Sequence, residues 1–143
     1  MMQKNPADFK AYRDFCGLTQ QNIADLLGKS IKVIKQYEDG KIEIPDEAWE
    51  IIDTAMQKRD SAMETAFHLI DDIEKNKAAD PKSITLTYWR DQLEYNQHGR
   101  DKGFYNQVNA NARAVADVLR NVGFNIEFHY FDDGAISTPG SNY

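Results

Sequence analysis

Residues 20–40, QQNIADLLGKSIKVIKQYEDG, constrain the fold of this chain more than any other stretch. Ile23, Ala24, Leu27, Ile34 and Tyr37 follow one another at spacings of one, three, seven and three residues. A helical period of about 3.6 residues puts the members of each half on one face. The long step crosses Gly28, where a helix must stop and the backbone can take a positive φ. Ala24 is small enough for a second helix to cross closely over the first. The stretch therefore predicts two short helices joined by a tight turn.

The surroundings fit that reading. Asn5 can cap a first helix, Pro6 suits its first turn and Asp8 favours its positive end. Phe9, Tyr12, Phe15 and Cys16 recur at helical spacing before Gly17. Thr19 can cap the next helix, and Ser30 the one after Gly28. With Arg13, the Gly17-Leu18-Thr19-Gln20 lead-in, Ala24, Gly28, Ser30, Ile34, Tyr37-Glu38 and Gly40, this N-terminal segment resembles the Cro/cI-type (Xre family) helix-turn-helix of DNA-binding proteins. The resemblance covers about the first 45 residues. Two positions depart from the family pattern. Lys29 stands where an apolar residue is usual, and Ile31 where a polar one is common.

Beyond residue 45 the chain changes character. Residues 41–45 read as extended, because the residue before a proline avoids the helical region. A long helix is expected from about residue 45 to residue 77. Trp49, Ile52, Met56, Met63, Phe67 and Ile70 make one stripe, with Ile51, Ala55, Ala62, Ala66, Leu69 and Ile73 beside it, a width that needs cover from two sides. A kink near residues 59–61 fits the polar run Arg59-Asp60-Ser61. Asp80-Pro81 is a breaker and marks a boundary. Residues 83–89 (SITLTYW) and 125–131 (NIEFHYF) alternate like strands. Between them lie a short helix over 91–97, a loop over 98–103, and a helix carrying Phe104, Val108, Ala112, Val115, Leu119 and Val122 up to Gly123.

The expected fold is mainly α with a small α+β part: an N-terminal lambda-repressor-like helix-turn-helix bundle, then a long helix and a strand-helix-strand dimerisation unit. The corresponding domains are 1–78, 79–132 and a flexible tail, 133–143. Two strands alone make a poor sheet. A second copy that adds strands or covers the wide helix face would repair this, so a homodimer is expected. The whole architecture also looks like the YdiL-like family and the related anti-CRISPR-associated repressors. That resemblance implies a C-terminal dimerisation domain and repression of the protein's own or a neighbouring operon.

The net charge of −6 argues against a general polyanion binder. Its distribution does not. Residues 1–45 carry seven Lys/Arg against six Asp/Glu, whereas residues 46–143 carry ten against seventeen. Lys29, Lys32, Lys35 and Lys41 cluster at the second helix of the pair. Fields beyond ~10 Å are screened at physiological salt, so a local basic face on an acidic body can still meet phosphate. No apolar run is long enough to span a membrane, the first residues lack a secretory apolar core, and the single Cys16 excludes an internal disulfide. A cytoplasmic protein fits, with Cys16 as a small buried side chain.

The resemblance implies that the helix over 31–39 enters the major groove of double-stranded DNA. Lys32 and Gln36, one turn apart, could donate to guanine and pair with adenine, while Ile31 could meet a thymine methyl. Lys35 flanks them. Gln20, Ser30 and Lys41 stand where phosphates pass. Arg13 and Glu38 occupy the positions of the family's structural ion pair. One such module reads too few base pairs, so a dimer reading an inverted repeat is implied.

Other chemistries fit less well. His68 and Asp72 share a helix face but lack a third ligand at suitable spacing. His98 and His129 lie in other elements, and His129 reads as a surface or interface residue. Cys16 has no His nearby in sequence, and there is no Gly-rich phosphate loop. An enzyme is therefore not expected, nor any metal or cofactor. The competing reading is an antitoxin-like protein-binding module that grips a partner through Tyr88, Trp89, Tyr95, Phe104 and Tyr105. The plainer account of these aromatics is the core and dimer contact of their own small unit. RNA is a further ligand that the residues do not separate from DNA.

Overall fold

A computed structural model describes residues 4–76 and 83–131. The chain is mainly helical with a small two-stranded sheet, as its periodicities predict. It divides into two compact units, residues 1–58 and 59–143.

In the first unit, α1 spans Pro6–Phe15, α2 Gln20–Leu27 and α3 Ile31–Glu38. Each begins where the local chemistry says it should. Asn5 accepts a hydrogen bond from the Asp8 N–H at 2.8 Å. Thr19 and Asn22 form a reciprocal capping box, with both bonds at 2.9 Å. Gly28 closes α2 in the left-handed region at φ 65°, which costs a residue with a Cβ but not glycine. Ser30 is the N-cap residue of α3, although its side chain makes no capping bond. Phe9, Cys16, Leu18, Ile23, Ala24, Ile34, Tyr37, Trp49 and Ile52 are buried. Phe9 sits edge-on to both Tyr37 and Trp49, at centroid distances of 6.3 and 5.3 Å. Cys16 is buried with its Sγ donating to Met56 Sδ at 3.4 Å.

The long helix α4 runs Asp46–Asn76 without interruption at residues 59–61. The second compact unit starts at Arg59, inside α4. The physical reason is that Ala62 and Ala66 are core residues of the strand-bearing unit. Phe67, expected on the core stripe, is 55% exposed, while these two alanines are buried. Small side chains let neighbouring elements approach the helix closely. The breaker Asp80-Pro81 and the tail 133–143 lie outside the described residues.

In the second unit, β1 (Ser83–Tyr88), α5 (Gln92–His98), α6 (Tyr105–Asn121) and β2 (Asn125–Tyr130) follow in order. The strands pair in parallel, Ser83 opposite Asn125 through to Tyr88 opposite Tyr130. A parallel pair needs a long crossover, and α5 and α6 supply it. Ile84 and Leu86 of β1 pack with Val115, Ala116 and Leu119 of α6 and the two α4 alanines. A second cluster joins Trp89, Tyr95 and Val108, with Tyr105 and Phe131 against it. Most of the aromatic set offered as a partner surface is thus committed to the unit's own interior. β1 ends one residue earlier than its alternation suggests. The Trp89 N–H donates to Asn109 Oδ1 at 2.9 Å, and Asn109 Nδ2 donates to the Trp89 carbonyl at 2.8 Å. A buried side-chain amide there stands in for a neighbouring strand. Gly99 is needed for a different reason from Gly28: a Cβ on it would lie 2.6 Å from the Tyr95 ring and carbonyl.

Candidate nucleic-acid interface

The site is built on the short turn between α2 and α3. In α3, successive residues are about 100° apart around the axis. Ile34 and Tyr37 point inward and are buried. Lys32, Lys35 and Gln36 therefore project from the opposite side. Both lysines are exposed and Gln36 is half-buried. Ile31 opens the helix at 37% exposure. Lys29 and Ser30 are exposed in the turn, and Lys41 is exposed just beyond the helix. Lys29 thus escapes any burial cost for its charge, which is how the turn tolerates it where an apolar residue is usual. Lys29 and Ser30 thus precede α3, Lys32 and Lys35 lie on it, and Lys41 follows it.

The helix that carries them is anchored from behind. Arg13 of α1 donates from Nε to Glu38 Oε2 at 2.7 Å and from a terminal guanidinium nitrogen to Glu38 Oε1 at 2.9 Å. A further guanidinium N–H reaches the Leu18 carbonyl at 2.9 Å. This is the bidentate fork that arginine forms and lysine cannot. Burial works to lower the Arg13 pKa, but the hydrogen bond and charge of Glu38 outweigh it, so the pKa stays raised and the group stays charged. Gln20 completes the cluster: its side-chain amide donates to Glu38 Oε1 at 3.1 Å. Sequence spacing missed this role. The phosphate contact expected of Gln20 is compatible with it, because an amide with two N–H donors can serve both partners.

Around the linker after α3, a groove of about 360 Å³ is lined by Lys4, Lys41, Glu43, Asp46 and Trp49 among others. Among the described residues, no group of three or more His, Cys, Asp or Glu could hold a metal ion. No helix among them is long and apolar enough to cross a membrane.

Architecture and site together define a mainly helical protein with a small α+β unit and one outward, lysine-bearing helix. Residues 4–118 match the Aca2/YdiL-like family, and the chain belongs to it. That family is one of anti-CRISPR-associated regulators, which makes this chain a regulatory protein and points to nucleic acid as its ligand. No curated protein matches the chain.

Proposed function

We propose that the protein is a sequence-specific, double-stranded DNA-binding transcriptional repressor of the Cro/cI type. It acts in the cytoplasm, without catalysis, as a homodimer on an inverted repeat. The observation that carries this reading is the outward face of α3, with Lys32 and Lys35 exposed and Gln36 half-buried, opposite buried Ile34 and Tyr37 and clamped by Arg13 and Glu38. A helix held this rigidly can be laid in the major groove with its N-terminal half toward the bases. Lys32 and Gln36 then meet base edges, Ile31 a thymine methyl, and Lys35 a base or an adjacent phosphate. The Ser30 hydroxyl makes no capping bond, which leaves it available for a phosphate. Lys41 and the α2 N-terminus at Gln20 would suit the phosphate backbone.

Two such modules related by a twofold axis would read half-sites about 34 Å apart. A short inverted repeat overlapping the gene's own promoter would make the protein an autorepressor. Titration of a labelled inverted-repeat duplex at two salt concentrations tests the proposal. Tight binding that weakens steeply with salt is expected. Equal affinity for a scrambled duplex would remove the claim of specificity.

A further inference from the structure

The two strands of the small sheet are covered very unequally. In β1, Ile84, Leu86 and Thr87 are buried. In β2 no residue is buried, and four of the six are exposed. Ile126, Phe128 and Tyr130 share one side by strand alternation. Ile126 packs against the core of its unit, yet Phe128 and Tyr130 are 43% and 42% exposed. Both line a groove of about 390 Å³ with Tyr88 and His129. Among the described residues, β2 pairs with β1 alone. An open strand edge is normally blunted by proline, lysine or a bulge, and NIEFHY has neither residue and keeps an unbroken register with β1.

The segment is also complementary to itself. Run antiparallel to a second copy with Phe128 on the twofold axis, Glu127 falls opposite His129 of the second copy, and the reverse. Ile126 falls opposite Tyr130. The apolar side meets the apolar side, and each carboxylate meets an imidazole. Within one chain these two polar groups already lie on one side, 3.4 Å apart. Neighbouring registers lose this match. A shift that centres the axis on residue 127 or 129 sets Glu127 or His129 against its own copy. A shift that centres it between residues sets the apolar side of one strand against the polar side of the other.

We infer that β2 of one copy pairs antiparallel with β2 of a second, with Phe128 at the axis, to give a four-stranded sheet in the order β1-β2-β2-β1. The inference rests on the homodimer proposed above and names the surface that forms it. The sheet then reaches the strand number that a stable sheet needs, and the exposed aromatic rings are covered.

Sedimentation of the full-length chain over a range of concentrations supplies the test. His129→Glu sets two carboxylates opposite each other in each of two symmetric pairs. It should raise the dimer dissociation constant on the order of tenfold. Glu127→His with His129→Glu restores opposite partners and should return the constant to the native value. Phe128→Cys should give a covalent dimer on oxidation, because opposed Cα atoms about 4.5–5.5 Å apart are within disulfide reach. Asn125→Cys, displaced from the axis, should not. A dimer indifferent to all of these changes would overturn the β2 pairing and leave the dimer itself standing. A native chain that stays monomeric at every concentration would overturn both.

Discussion

At the scale of single residues, Arg13 and Glu38 are the most consequential pair. Their side chains are 9% and 4% exposed, so neither charge is well solvated without the other. Arg13→Ala should cost about 3 kcal/mol in urea unfolding, because it leaves a buried carboxylate uncompensated. Replacing both residues together with apolar ones of similar size should cost less, since no orphaned charge remains. Lys32 and Gln36 should behave in the opposite way. Lys32 is exposed and Gln36 only half-buried, so Lys32→Ala and Gln36→Ala should leave the melting temperature within a few degrees while specific DNA binding loses about 1–3 kcal/mol per base contact. Unfolding of either variant would mark the residue as structural instead.

At the scale of elements, two helix boundaries and one strand end carry separable costs. Thr19→Ala removes one half of the capping box on α2 and should destabilise by about 1 kcal/mol. Gly28→Ala meets no neighbouring atom, so only the positive φ resists it, at a cost of about 1 kcal/mol. Asn109→Ala strips the Trp89 N–H and carbonyl of their shared partner inside the protein. A loss of about 2 kcal/mol or more is expected in thermal or urea unfolding. Of these three features, only Asn109 could not be read from spacing. An asparagine on a helix gives no sign that it will bond to a backbone twenty residues earlier.

At the scale of the whole molecule, the proposed function depends on concentrating charge. Residues 46–143 are acidic overall, yet Lys29, Lys32, Lys35 and Lys41, on and beside α3, are all exposed. A plot of log affinity against log salt should therefore be steep for the native protein. Lys41→Ala should reduce its slope by about one and weaken all DNA sequences alike, whereas changes at Lys32 and Gln36 should act on some sequences and not others. A duplex with the two half-sites moved half a helical turn apart should lose most of its advantage over scrambled DNA, because the proposed twofold dimer would present both α3 helices to the same side.

Local chemistry by itself determined a good deal. Helix starts at Asn5 and Thr19, the stop at Gly28 and the inward set of Ile23, Ala24, Ile34 and Tyr37 follow from capping, backbone freedom and a period of 3.6. All are interactions between residues a few positions apart, so they are written in spacing. The outward lysine face follows from the same period. The tertiary structure alone decided the rest. It chose Ala62 and Ala66 over Phe67 for the core, because close approach of strand and helix favours small side chains there. It divided the contacts inside α4, between Lys58 and Arg59, where the sequence carries no breaker. It made the strand pair parallel, since two alternating segments carry no mark of relative direction until the crossover between them has packed. It also drew Gln20 into the Arg13–Glu38 cluster, a meeting across eighteen residues that only the folded chain brings about.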